Sequence, residues 1–183
     1  ALGALEPSGY RVFNIVVHLL CALALYGVLA RSITDSTRTL AFSCALLWLV
    51  HPLNSQCVNY TIQRSESLVS FFYLLVLYSI ARAGQGGHAH WSGVAVAASI
   101  LGMASKEVMA TAPLLALAYD RVFIADSLRQ VWQQRRGLYL GLFASWSVLA
   151  LLRPGDAHGN SIGLDSGVSP WIYALNQCWV VVD

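Results

Sequence analysis

The chain has 183 residues, of which 57% are hydrophobic and only 11% charged, and its formal net charge is +2. A soluble domain carries about 25% charged residues, so this composition excludes a globule coated for water. The mean hydropathy is +0.59 and the low charge runs along the whole chain, which points to an all-α, polytopic membrane helix bundle rather than a soluble domain on one anchor.

Six to seven hydrophobic segments follow in chain order, read as one transmembrane domain over 1–183. The first, 10–30, is long enough to cover about 30 Å at about 1.5 Å per residue. It carries Asn14 and His18, which are four apart and therefore share a helix face. Their first reading is an interhelical hydrogen bond that holds the bundle, with a ligand role second, since buried polar groups need partners in either case. The second segment, 39–51, is short for a full span and stops at His51-Pro52, because proline disfavours the helical conformation in the residue before it. The turn that follows holds Asn54, Gln56, Asn59 and Gln63, a set that suits a bound sugar or a solvated loop. Asn59-Tyr60-Thr61 also fits the N-glycosylation pattern.

The third segment, 65–83, opens beside Arg64 and Glu66. Residues two apart do not face each other on a helix, so each needs its own partner. The segment ends in the Gly-rich stretch GQGGHAH. The fourth, 91–104, is rich in small residues that permit close helix packing. Lys106-Glu107 separates it from the fifth, 108–124, in which Pro113 is expected to kink the helix. Residues 126–136 place Leu128, Val131 and Trp132 at helical spacing, the pattern of a short helix lying on a membrane surface. The sixth segment is 137–152, and 171–182 begins a seventh. Both ends of the chain read as cut, so a fragment of a longer protein is expected.

Counting Lys and Arg on alternate sides gives Arg31, Arg38, Arg82, Arg121, Arg129, Arg135 and Arg136 on one side, and Arg11, Arg64, Lys106 and Arg153 on the other. The positive-inside rule assigns the first group to the cytoplasm. The N-terminus and the turn from His51 to Glu66 then face the outer or lumenal side, of a bacterial inner membrane or of the endoplasmic reticulum. Ionisable groups at a membrane edge are functional candidates by default. Arg64 and Lys106 on one surface suit an anionic lipid head group, and the bland alternative is a lysine whose stem reaches to the interface. Cys21, Cys44, Cys57 and Cys178 form neither a CxxC pair nor a zinc spacing, and no divalent-metal site can be assigned. With no Lys/Arg run, no nucleic-acid partner is expected. The bilayer is the expected partner, with other membrane subunits a further one.

Three motifs now stand in order. Tyr10-Arg11-x-x-Asn14-x-x-x-His18 is the first. His51-Pro52 followed by Val58, Arg64, Glu66 and Leu68 is the second. Ser105-Lys106-Glu107 followed by Pro113 and Asp120 is the third. Together they resemble the transmembrane and tetratricopeptide-repeat (TMTC-like) glycosyltransferases, C-type enzymes related to protein O-mannosyltransferases. The resemblance implies a multi-span fold that takes sugar from a polyprenyl-phosphate donor on the outer face. It implies basic residues at outward helix ends on the lipid phosphate, and Arg64 and Lys106 match such positions. His51, Glu66, Glu107, Asn14 and His18 are the supporting polar groups. An acidic residue in the first outward loop would act as the base; it is expected before Tyr10, where Glu6 sits in no such motif. Arg11 stands where the family motif has its first histidine, and no tetratricopeptide repeat follows. The alternative is a non-catalytic accessory subunit of a larger membrane complex. A transporter is disfavoured because no inverted repeat of broken helices is present.

Overall fold

The structure, a computed structural model, describes residues 7–33, 38–54, 64–86, 90–125 and 127–152, without the side chains of Pro7, Ser8, Tyr10, Arg64 and Leu152. Residues Ala1–Ala150 pack as one compact unit, and Leu151–Asp183 form a second, of which only the first two residues are described. The 171–182 segment, Gln56, the Asn59 glycosylation pattern, Gln63 and Arg153 lie outside the described residues.

Among the described residues every regular element is helical. The first two segments form α1, Pro7–Ser32, and α2, Arg38–Val50. Proline acts as expected at the end of α2, where Pro52–Asn54 form a single 3-10 turn. The freed carbonyls there find side chains: Asn54 Nδ2 donates to the Trp48 carbonyl at 2.6 Å, and His18 Nε2 of α1 donates to the Leu49 carbonyl at 2.9 Å. Helix α3 runs over Arg64–Gly84, and Gly86 just beyond it takes the left-handed φ of 80° that a turn requires of glycine. Helix α4, His90–Ser105, buries Ala95, Ala98, Ser99 and Gly102; these small residues let it lie close along α3.

Pro113 does not kink a helix. The chain makes a 3-10 turn over Glu107–Thr111, and Pro113 lies in the first turn of α5, Ala112–Phe123, where a residue without an N–H loses no helical bond. The expected surface helix and sixth segment join as α6, Leu128–Ala144, with non-helical backbone at Arg135 marking the change between them. The chain turns again at Ser145 and continues as α7, Trp146–Leu152. Among the described residues, two helices are long and apolar enough for a bilayer, Arg11–Ser32 and Ser65–Gly84, while Arg38–Val50 is apolar but shorter.

The core lies around α3, where Val76 and Ile80 meet Ala95, Met109, Ala116, Tyr139 and Leu142. A buried hydroxyl pair, Ser99 with Ser145 at 2.9 Å, ties α4 to the end of α6. The outer faces are apolar as well: Val12, Leu23, Phe42, Leu47 and Val50 are exposed on α1 and α2. So much exposed apolar surface marks contact with lipid or protein. Helices α1 and α3 approach at Gly27, where a Cβ would lie 2.5 Å from the Tyr78 ring. A ring cannot give by that much without a backbone shift. Gly27→Val is therefore expected to lower stability by about 1–3 kcal/mol through overpacking, read as a fall in the unfolding midpoint in detergent. An unchanged midpoint would show that the two helices can separate freely at this point.

Candidate functional site

Two ends of the bundle can be told apart from the contacts. At one, Ser32 Oγ at the end of α1 meets Tyr119 Oη near the end of α5 at 2.7 Å, and Gln85 after α3 donates to the Arg31 carbonyl at 3.1 Å. At the other, the start of α3 meets the end of α4.

That second end holds an ion pair. Glu66 sits in the first turn of α3, where the helix dipole favours a carboxylate. Lys106 breaks the chain between α4 and the 3-10 turn with an extended backbone of φ −161° and ψ 145°. Its ammonium reaches across to Glu66 Oε1. The two residues are 40 apart in sequence, and only the antiparallel run of α3 and α4 brings them together.

Several contacts hold Lys106 in place. Met109 inserts fully buried against Gly102, anchoring the turn from below. Thr111 Oγ1 donates to the Val108 carbonyl at 2.8 Å, which leaves the Tyr73 hydroxyl to donate to Thr111 across 3.1 Å. Trp146 Nε1 donates to the Ala110 carbonyl at 3.1 Å. The Lys106 and Glu66 side chains are 37% and 41% exposed. An ion pair so open to its surroundings contributes about 0–1 kcal/mol, so folding stability alone gives little reason for it. Chemically, it is a lysine held at a helix break, half-open, with a carboxylate that orients it.

The other sequence candidates distribute as follows. Arg64 opens α3 in the same turn as Glu66, and its side chain lies outside the described residues. Glu107 is exposed at the start of the 3-10 turn. His51 is exposed beyond α2, and its Nδ1 accepts from the Leu53 amide at 3.3 Å. Asn14 is 1% exposed, inside the packed bundle, and His18 is half-buried with its ring 4.9 Å from that of Trp48. His18 thus ties α1 to the end of α2, as the interhelical reading has it.

A second charged pair, between a motif residue and a counted cation, forms only in the fold. Asp120 on α5 is fully buried and pairs with Arg135 at the break in α6. The Tyr139 hydroxyl donates to its second oxygen at 2.7 Å. In the sequence Arg135 reads as a surface cation and Tyr139 as part of an apolar run. The signal was present in Asp120 itself, a carboxylate at the end of PLLALAYD, since an acid within an apolar segment calls for a partner.

Comparison with known proteins adds an independent line. The family described as dolichyl-phosphate-mannose-protein mannosyltransferase matches residues 3–152. The human protein O-mannosyl-transferase TMTC3 is 27% identical over 68% of this chain and 14% of its own length. A fruit-fly (Drosophila melanogaster) relative, protein O-mannosyl-transferase Tmtc3, is 31% identical over 45% of the chain and 11% of itself. The human protein O-mannosyl-transferase TMTC1 is 30% identical over 45% of the chain and 9% of itself. The chain therefore spans a small part of these relatives. No solved structure matches it.

Proposed function

Because this chain belongs to the dolichyl-phosphate-mannose-protein mannosyltransferase family, we propose that it forms part of a membrane-embedded glycosyltransferase that moves a mannosyl group from a polyprenyl-phosphate carrier to an acceptor hydroxyl. The observation that carries the site is the Glu66–Lys106 pair. Lys106 binds the carrier phosphate, Glu66 orients it, and Arg64, two residues before Glu66 in the first turn of α3, adds a second cation. As the sugar leaves, negative charge gathers on the phosphate. Fixed cations aimed at that charge stabilise the transition state more than the ground state. A hydrogen bond between a cation and phosphate is about twice as strong as a neutral one. Deprotonation of the acceptor hydroxyl falls to a carboxylate within hydrogen-bond reach in the whole enzyme.

Helices α1 and α3 cross the membrane in this reading, with Lys106 at the outer or lumenal surface and the Ser32–Tyr119 end in the cytoplasm. Cysteines placed at positions 107 and 129 should react with an impermeant reagent from opposite sides. Reaction of both from one side would refute this topology.

The functional test is transfer of labelled mannose from dolichyl phosphate to a protein acceptor by the full-length protein. Arg64→Gln is expected to weaken donor binding by about tenfold or more, the loss of one charged hydrogen bond at about 1.5–3 kcal/mol, with an unchanged unfolding midpoint. Unchanged donor affinity would remove Arg64 from the site. Failure of the wild-type protein to transfer any sugar, with intact folding and membrane insertion, would turn the reading to an accessory subunit.

A further inference from the structure

At the end of the bundle opposite Lys106 lies an open polar cavity of about 630 Å³, lined by Tyr26 and Arg31 of α1, Arg38 of α2, Gln85 after α3 and Phe123 of α5. Its described lining includes two arginines and no carboxylate. Arg31 is fixed there on three counts. Its Nη1 donates to the Gly27 carbonyl at 2.9 Å, its guanidinium lies 4.8 Å over the Tyr78 ring, and its own carbonyl accepts from Gln85. Arg38, the first residue of α2, is exposed and also lines the cavity. An anion in this cavity can be met by both guanidinium groups, each of which attracts it.

A second hollow meets this one. Leu19, Leu23, Phe42 and Leu46 line an apolar groove of about 410 Å³ between the same two helices, and Tyr26 is a wall of both. The groove and the cavity are thus neighbours on either side of Tyr26. From Leu19 to Arg31 the distance along α1 is about 18 Å at about 1.5 Å per residue. Half of a hydrocarbon core about 30 Å thick is about 15 Å, so groove plus cavity match one leaflet with its head group. Arg82 lies 5.0 Å over the Trp91 ring, and Tyr78 packs edge-on against Trp91; an aromatic and arginine belt of this kind marks the level of lipid head groups.

We infer that the α1–α2 cleft binds one anionic phospholipid, with its phosphate between Arg31 and Arg38 and an acyl chain along Leu19, Leu23, Phe42 and Leu46. The lipid occupies the end of the bundle away from the Glu66–Lys106 pair. It serves as a resident lipid rather than as the sugar carrier, so the inference stands apart from the transferase reading.

The test is lipid binding by the full-length protein in a neutral detergent, followed by native mass spectrometry and by the unfolding midpoint. Dioleoyl phosphatidic acid should bind one per chain and raise the midpoint, while dioleoyl phosphatidylcholine should do neither. Arg38→Gln, an exposed substitution that leaves the packing alone, should weaken phosphatidic acid binding about tenfold. Adding Arg31→Gln should abolish it, Arg31→Lys should retain most of it, and Arg136→Gln, an exposed cation outside the cavity, should leave it unchanged. Dihexanoyl phosphatidic acid should bind more weakly than the dioleoyl form because its chains cannot fill the groove. Binding that survives loss of both arginines overturns the inference, as does equal binding of phosphatidylcholine. Full reproduction of the midpoint rise by inorganic phosphate, or equal affinity for the dihexanoyl form, removes the acyl chain from the groove and overturns the lipid assignment.

Discussion

Asp120→Asn is expected to lower the stability of the protein by about 3–5 kcal/mol, because it leaves the Arg135 cation packed in the bundle without its counter-charge. Asp120 is fully buried, and its two oxygens are divided between Arg135 and Tyr139. The asparagine side chain still accepts from Tyr139 but cannot neutralise Arg135. Arg135 sits where the backbone of α6 departs from helical geometry, so loss of the pair should also release the first half of α6 from α5. Hydrogen exchange over 128–134 should rise together with the fall in the unfolding midpoint. Replacing both charges by apolar residues of similar volume, Asp120→Leu with Arg135→Met, should recover most of the loss, since a buried pair is often no more stabilising than well-packed hydrophobes. A loss below about 1 kcal/mol for Asp120→Asn would mean that water reaches the pair in the folded protein.

The second large effect falls on catalysis. If the proposed transfer holds, Lys106→Ala in the full-length protein is expected to lower turnover by about 10²–10³-fold, the range seen when one preorganised donor to a developing negative charge is removed. Donor affinity should fall as well. Stability should change by about 1 kcal/mol or less, because the pair with Glu66 is open to its surroundings. Lys106→Arg should restore part of the activity. The exchange variant, Glu66→Lys with Lys106→Glu, separates the phosphate site from a simple tie between α3 and α4. It keeps an ion pair across the same gap but moves the cation to the wrong helix, so a phosphate site predicts continued loss of transfer. Recovery of activity in the exchange variant would make the pair a structural clasp and sink its assignment to the donor phosphate.

Much of this architecture was legible in the amino-acid order. The end of α2 at Val50 follows from Pro52, and the end of α3 near Gly84 follows from the glycines beyond it. These are local effects of backbone geometry, so a window of a few residues contains them. The family motifs were equally legible, because Ser105-Lys106-Glu107, Pro113 and Asp120 keep fixed spacings along the chain. Pro113 shows the limit of local reading. A proline in an apolar run serves as a kink or as a start, and the choice depended on Met109 turning into the core against Gly102 and so ending α4 before it.

What the sequence by itself determined is therefore the set of apolar helices, their stops, and the positions of the ionisable residues that interrupt them. Tertiary structure alone decided which of those residues meet. Glu66 finds Lys106 forty positions away, Asp120 finds Arg135 and Tyr139, and His18 finds the last turn of α2. Arg31 and Arg38 come to line one cavity. Helix formation depends on residues three and four apart, which the chain states directly. A charge pair between helices depends on their relative rotation and depth, set by where small residues such as Gly27 and Ala95 let them approach. That packing arises from many weak contacts acting together, and no short stretch of the chain encodes it.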